Sequence, residues 1–306
     1  MDIKYFKTAW GDIKASPGWF GTLIKLSLLN IIPVFGSIVS DGYLYGWARD
    51  VAWGVRRPLG TSIFANEDGK LWRRGLFAWL IALIMGLIPA LVQLIGEGLS
   101  GQMAFNVNLI ESLEEGTVPA TAVATTGGLL ASIISLVAIV LYIFVFFFRN
   151  IGIMRMSIYD NLGAGLQIGT LWKMFKRDSS GMVRILLMNI LFGIIIGVII
   201  WIIALIVVMA ILMTNFSAIE ALGANPTDSE VLALFGTLIV PLVIAGLIIG
   251  IIALIPSTFL QMLNARAMGY WTYQFNVPAW RGKDDPLPFE VPAAQQQPPQ
   301  QPGSYR

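Results

Sequence analysis

The chain has no cysteine and no histidine. The first absence removes disulfides and thiolate chemistry. Together the two remove thiolate and imidazole metal sites and histidine-based acid–base catalysis. Charge is scarce as well: 12% of residues are charged and 56% are hydrophobic, where an ordinary soluble domain has about 25% charged. A soluble fold of 306 residues has no core large enough to hide that much apolar surface. Two polar stretches, 97–126 and 214–231, contain no Lys or Arg at all. They carry Glu97, Glu111, Glu114, Glu115, Glu220, Asp228 and Glu230 instead. All 20 bases lie in 1–25, 49–74, 149–184 and 266–306. Cytoplasmic loops of membrane proteins are enriched in Lys and Arg, so this sorting reads as a topology map with the basic stretches inside. The basic side suits an anionic leaflet. Its charges are dispersed among apolar segments, which does not suit nucleic acid. Met1–Ser16 alternates charged and apolar residues and lacks the layout of a cleavable signal.

What is present in abundance is uncharged sequence. Leu76–Ile95, Thr125–Phe148, Ile185–Met213 and Val231–Asn264 reach or exceed the roughly 20 residues that cross about 30 Å of hydrocarbon. A weak internal repeat organises these four spans. Ile110-Glu111-Ser112-Leu113 returns as Ile219-Glu220-Ala221-Leu222, each with a Pro a few residues on (Pro119, Pro226). On the basic side Arg-x-x-x-aromatic occurs as Arg49 with Trp53, Arg155 with Tyr159, and Arg266 with Tyr270, at nearly the same offset. The expected fold is an all-α integral membrane protein of three helical hairpins in pseudo-repeat, with four full spans and both termini cytoplasmic.

Within it, 1–18 is expected to be an amphipathic interfacial helix, with Ile3, Phe6, Trp10 and Ile13 on one face. Thr170-Leu171-Trp172 echoes Thr8-Ala9-Trp10 and predicts a similar helix ahead of the third copy. Residues 19–74 hold the first, short hairpin and its basic extension. Trp19–Ile32 is too short to span alone and meets a break at Pro33, and both flanks are basic. A re-entrant hairpin over 19–48 satisfies the positive-inside rule if other helices cover its turn. The alternative is a single crossing that leaves Lys4, Lys7 and Lys14 outside. Residues 75–183 form the second repeat with an acidic outer loop at 97–126, and 184–275 the third with an outer loop at 214–231. Phe105–Glu115 and Ser217–Leu222 are candidate short helices in those loops. Residues 276–306, rich in Pro and Gln, read as a disordered cytoplasmic tail.

Few side chains in the spans could carry chemistry. Asn189, Gln261 and Asn264 are candidates to line a cavity between hairpins, although amides inside spans also cross-link helices. Lys25 and Asp41 each lie eight residues from Pro33 and are expected at similar depth on facing arms, where they could form an ion pair. The Arg-x-x-x-aromatic pairs place guanidinium and ring one helical turn apart. That arrangement serves as an interfacial anchor, or as a ring contacting anionic headgroups or a partner. Gly193-x-x-x-Gly197 and Gly246-x-x-x-Gly250 offer small faces for helix contact. There is no phosphate loop, dinucleotide fingerprint or nucleophile elbow, and no residues with metal-site spacing.

Ile31-Ile32-Pro33-Val34-Phe35-Gly36, then Gly42-Tyr43-Leu44 and Arg49, with a later pattern around Arg155, Tyr159 and Gly163, resembles a prokaryotic membrane family known as domain of unknown function 4013. The resemblance covers most of 15–275. It implies a multi-pass protein of the bacterial or archaeal plasma membrane and supplies no activity and no catalytic residues. The long acidic outer loop and the Gln/Pro tail depart from it. The function expected is therefore a non-enzymatic scaffold or assembly partner without cofactor or metal. It would act through membrane lipids, anionic headgroups among them, and an unidentified membrane or cytoplasmic protein. The alternative is a permease-like carrier of a small apolar or amphipathic solute.

Overall fold

The computed structural model describes residues 4–65, 68–113, 120–220 and 227–277, and every regular element among them is a helix. In chain order these are α1 (Tyr5–Ala15), α2 (Trp19–Leu29), α3 (Pro33–Ala52), a 3-10 turn at Ile63–Ala65, α4 (Leu71–Leu113), α5 (Ala120–Tyr159), α6 (Leu162–Gly165), α7 (Ile168–Arg177), α8 (Ser179–Thr214), α9 (Phe216–Glu220) and α10 (Asp228–Tyr273). Four of them contain stretches long and apolar enough to cross a membrane: Leu71–Gly96, Ser132–Tyr159, Ser179–Thr214 and Leu234–Tyr273.

The short hairpin α2–α3 is built by its turn. Asn30 closes α2 through its backbone N–H to Leu26. Pro33 then opens α3 at a position where no backbone donor is needed and φ is already helical. Gly36 lies so close to α2 that a Cβ there would collide with the Leu29 carbonyl. At the α3–α4 crossing, a Cβ on Gly42 would strike the Leu71 carbonyl and one on Gly75 the Ile38 carbonyl, so the two helices meet backbone to backbone and run antiparallel. Against α10, Asp41 meets Gln261 and Ala48 meets Gly269, so α3 runs parallel to α10. The hairpin thus inserts beside both long hairpins, and its turn reaches Thr258 through Asn30.

α4 packs along α5 and α8 along α10; between these two pairs the main contacts are those of α5 with α8 and α10. The core gathers at the basic ends. Ile13, Leu26, Leu44, Ile81, Ile151, Met154 and Trp271 are all fully buried there. Away from it, residues such as Ile194, Ile199, Trp201 and Ile206 on α8 and Val243, Leu247 and Ile251 on α10 are exposed. Surface that apolar and continuous needs a partner less polar than water.

Several expectations change. Residues 97–126 are not a loop for most of their length: α4 continues to Leu113 and α5 begins at Ala120. As far as Leu113, Phe105–Glu115 is therefore not a helix of its own but the end of α4, where Gln102, Met103, Ala104, Leu109 and Glu111 are good helix formers. The second loop does hold a short helix, α9. The small faces at Gly193, Gly197, Gly246 and Gly250 do not make the hairpin contact, since a Cβ on any of them would meet open space. Glu114, Glu115 and the Pro/Gln-rich stretch 278–306 lie outside the described residues.

Helices form in both places, but α1 does not bury the face expected: of Phe6, Trp10 and Ile13 only Ile13 is buried and Phe6 is exposed, while Ile3 lies outside the described residues. α1 buries Tyr5, Ala9 and Ile13, with Trp10 edge-on to Trp19 and Phe259. α7 buries Leu171 and Met174 and stacks Trp172 on Phe148 and Phe175, with Lys176 over the Trp172 ring.

Candidate functional site: a polar seam between the hairpins

Thr258, Gln261 and Asn264 recur every three residues on α10 and so follow one slowly drifting face. Each meets a polar partner on another helix. Thr258 Oγ1 accepts from Asn30 Nδ2 at 3.2 Å, and Asn30 Oδ1 accepts from Ser40 at 3.0 Å. Gln261 Nε2 donates to Asp41 Oδ1 at 2.8 Å. Asn264 donates to Asn150 Oδ1 at 2.7 Å and accepts from Asn189 at 2.9 Å. The Tyr45 hydroxyl also donates to Asn150 Oδ1, at 3.1 Å. The seam therefore stitches α2, α3, α5, α8 and α10 together. Asp41, Tyr45 and Asn150 are buried, whereas Asn189, Gln261 and Asn264 are half-buried.

All three expected cavity residues belong to this seam, but they bond to one another and to α3 and α5. Asn30, Ser40, Tyr45 and Asn150 complete it and carried no local signal: each is a lone polar residue in an apolar or mixed stretch. A buried amide left without its partner costs about 1–3 kcal/mol. Asn264→Leu removes both of its side-chain bonds and is expected to lower stability by about that amount in a detergent unfolding titration. Combined with Asn189→Leu, the loss should be smaller than the sum of the two single changes; additive losses would mean the Asn189–Asn264 bond contributes nothing.

Lys25 and Asp41 do not pair. Lys25 Nζ donates to the Thr61 carbonyl at 3.2 Å, while Asp41 turns to Gln261. Equal distance from Pro33 does not fix the helix face each occupies.

The three Arg of the repeated motif separate. Arg155 is fully buried, bonds the Ala164 carbonyl and Gln167, and lies 5.1 Å from the Tyr159 ring centre. Arg266 is 1% exposed. Its Nε and Nη2 both reach Asp12 Oδ2 at 2.6 Å, and its Nη1 bonds the Trp47 carbonyl. It also stands 4.0 Å over the Trp47 ring and 5.7 Å from that of Tyr270. Tyr270 is itself buried and donates to Asp12 at 2.6 Å. Both side chains are buried, and the one-turn spacing makes a guanidinium–ring clasp inside the protein. Arg49 differs. It is partly exposed and shares Nη2 between Asp50 at 3.5 Å and Asp68 at 3.0 Å, and Trp53 beyond it is exposed. Asp68 also pairs with Arg74. Burial alone would raise the Asp68 carboxyl, but the charge and hydrogen bond of Arg74, with Arg49 behind, hold it below the ordinary carboxylate value.

Four membrane-length apolar helices, joined at one end by a polar seam and with helix the only regular structure among the described residues, define a multi-pass helical membrane protein. The chain belongs to the family described as protein of unknown function (DUF4013), which matches residues 25–205. The match runs from the middle of α2 into α8 and stops short of α10, which supplies Gln261, Asn264 and Arg266. Comparison with curated proteins and with solved structures gives no match.

Proposed function

We propose that this protein is a non-enzymatic scaffold or assembly partner of a prokaryotic cytoplasmic membrane, working through lipids and a second protein. In this reading three hairpins form a pseudo-repeat. The α2–α3 hairpin enters the inner leaflet and returns, and both termini face the cytoplasm. The observation that carries the reading is the seam: the polar side chains between the hairpins satisfy one another, as in a packed joint, instead of presenting unpaired groups to a solute. The described basic residues of 4–25, 49–74 and 149–184, with Arg266, lie toward the joined end, which favours placing that end at the cytoplasmic surface.

A carrier is the second reading. It is favoured by the half-exposed faces of Asn189, Gln261 and Asn264 and by the buried carboxylate of Asp41. The absence of native cysteine lets one experiment separate the two. Asn264→Cys in proteoliposomes is expected to resist a membrane-impermeant maleimide from both sides. Mild-detergent isolation from native membrane is expected to retain a partner protein in fixed stoichiometry. Rapid labelling of that cysteine, with solute uptake and no retained partner, would replace the scaffold with the carrier.

A further inference from the structure

α1 and α7 lie across the long helices instead of along them. On one flank of α1, Tyr5 reaches Asp178 and Asp12 accepts from Tyr270. On the other, Phe6 meets the Phe192 ring at 5.1 Å and Trp10 the Phe259 ring at 5.4 Å. Counting away from the joined end, Phe192 lies 14 residues beyond Asp178 on α8, and Phe259 lies 11 beyond Tyr270 on α10. The partners of the two flanks are therefore roughly 17–21 Å apart along those helices. α1 runs crosswise, with Phe6 and Trp10 on the side of the apolar stretches. α7 repeats the arrangement on α5. Trp172 stacks on Phe148 and Phe175 meets Phe147, while Gln167 and Met174 meet Arg155, seven residues nearer the joined end than Phe148.

The outward flanks share one level. Phe148, Phe192 and Phe259 lie two, three and five residues beyond Asn150, Asn189 and Asn264, which bond to one another in the seam. The α2–α3 turn, tied to Thr258 through Asn30, sets the exposed Ile31, Ile32 and Val34 there as well. Beyond this level α8 runs a further 22 residues to Thr214, and α10 a further 25 to Leu234, the first residue of its apolar stretch. These lengths, about 33 and 38 Å, cross the roughly 30 Å of hydrocarbon. The level is that of the inner edge of the bilayer core.

Around each crosswise helix the sectors follow the same order. At about 100° per residue, α1 shows Tyr5, Ala9 and Ile13 docked, then Phe6 and Trp10, then Lys14, Lys7 and Lys4. Turning in the same sense, α7 shows Met174 and Leu171 docked, then Ile168 and Trp172, then Lys176, Lys173 and Arg177. Phe6, Ile168 and Trp172 are exposed, and so are all six bases. Neither basic sector contains a carboxylate. An apolar sector beside a basic one is what a helix lying in the plane of a bilayer interface presents.

We propose that α1 and α7 are paired in-plane helices that bind anionic phospholipid headgroups at the level of the seam, with their apolar sectors in the acyl region. Charge complementarity sets the partner, because three bases per helix face outward with no acid among them. The proposal deepens the scaffold reading by naming the elements that make its lipid contacts. It rests on that reading only for setting the joined end at a membrane surface.

The chain has no native cysteine, so single cysteines report depth. Full-length Phe6→Cys, Ile168→Cys, Lys7→Cys and Lys176→Cys carry nitroxide labels in nanodiscs of phosphatidylglycerol and phosphatidylcholine, with Trp201→Cys as the reference in the apolar core. Labels at Phe6 and Ile168 are expected to favour oxygen over a water-soluble nickel chelate, as the label at Trp201 does. Those at Lys7 and Lys176 should be reached by the chelate. Equal chelate access at all four would overturn the proposal and leave these faces to an acidic protein. Selectivity is read on the unlabelled chain in mixed micelles holding the two lipids in equal amounts, by quantifying the lipid that copurifies. The wild type is expected to enrich phosphatidylglycerol. Lys7→Gln and Lys176→Gln should each lower that enrichment about fivefold, the effect of one base near an anionic surface. Arg73→Gln is the control, because Arg73 pairs with Asp160, and it should leave the enrichment unchanged. No enrichment in the wild type, or wild-type enrichment in both lysine variants, would overturn the proposal as well. Depth and selectivity are read on the isolated chain, so failure to find a partner protein leaves them standing, and a retained partner would not rescue a failed depth measurement.

Discussion

Arg266→Met is expected to destabilise the chain by about 3–5 kcal/mol, the cost of breaking a buried ion pair from one side. The substitution keeps much of the volume and removes every polar contact at once. Asp12 loses its cation while still accepting from Tyr270, and the Trp47 and Arg57 carbonyls lose their donor. The Trp47 face loses the guanidinium that lies over it. The effect should appear as a lowered midpoint in a denaturant titration in mixed micelles. Because the contact joins α1 to α10, proteolysis within α1 should accelerate in the variant. Arg266→Lys should recover only part of the loss, since an ammonium cannot reach Asp12 and both carbonyls with one planar fork. The double variant Asp12→Asn, Arg266→Met should lose less than the sum of its parts. A wild-type midpoint for Arg266→Met would mean that α1 docks without this contact.

The second large effect is expected at Gly75. Gly75→Ala sets a methyl against the Ile38 carbonyl, and because the opposing atom is backbone, no rotamer change relieves it. Overpacking of this kind costs about 1–3 kcal/mol, and the helix propensity gained by replacing glycine offsets roughly 1 kcal/mol of it. Gly75→Val should abolish a monodisperse preparation, because α3 would have to move off α4. Gly86→Ala in the same helix provides the internal comparison, since a Cβ there meets nothing within 4 Å. It should keep the propensity gain and raise thermal stability slightly. Equal behaviour of Gly75→Ala and Gly86→Ala would remove the close crossing of α3 and α4.

These two positions also mark how far the sequence could be read. The spans were legible because charge is excluded from them over lengths no soluble helix needs, and the turn at Pro33 because proline both interrupts α2 and starts α3. Helix ends in the acidic stretches were not legible: a base-free, polar segment looks like a loop, yet its alanine, leucine and glutamate content extends α4. The glycines misled in an instructive way. The paired spacing at Gly193 and Gly197 drew attention but faces open space, whereas Gly42 and Gly75, 33 residues apart and on different helices, make the close contact. The Arg-x-x-x-aromatic spacing correctly implied that ring and guanidinium lie one turn apart. It carried no information on what covers them, and α1 together with the Trp47 face of α3 covers Arg266. The same limit hid half of the seam. Gln261, Asn264 and Asn189 stand out as polar residues within apolar spans. Tyr45 and Asn150 matter only because α3 is wedged between α4 and α10, a fact of tertiary packing that no local pattern holds.

α8 and α10 run as unbroken helices of 36 and 46 residues, roughly 54 and 69 Å at 1.5 Å per residue. In each case the apolar stretch and the end in the buried core belong to one continuous helix, with Pro241 and Pro256 inside α10. A bilayer that thins or thickens is accommodated chiefly by helix tilt. A rod tilting at one end swings at the other, so the Asn189–Asn264 bond and the Arg266–Asp12 clasp sit where such leverage is delivered. A change of bilayer thickness that tilts α8 or α10 is therefore expected to load these two contacts at the joined end first.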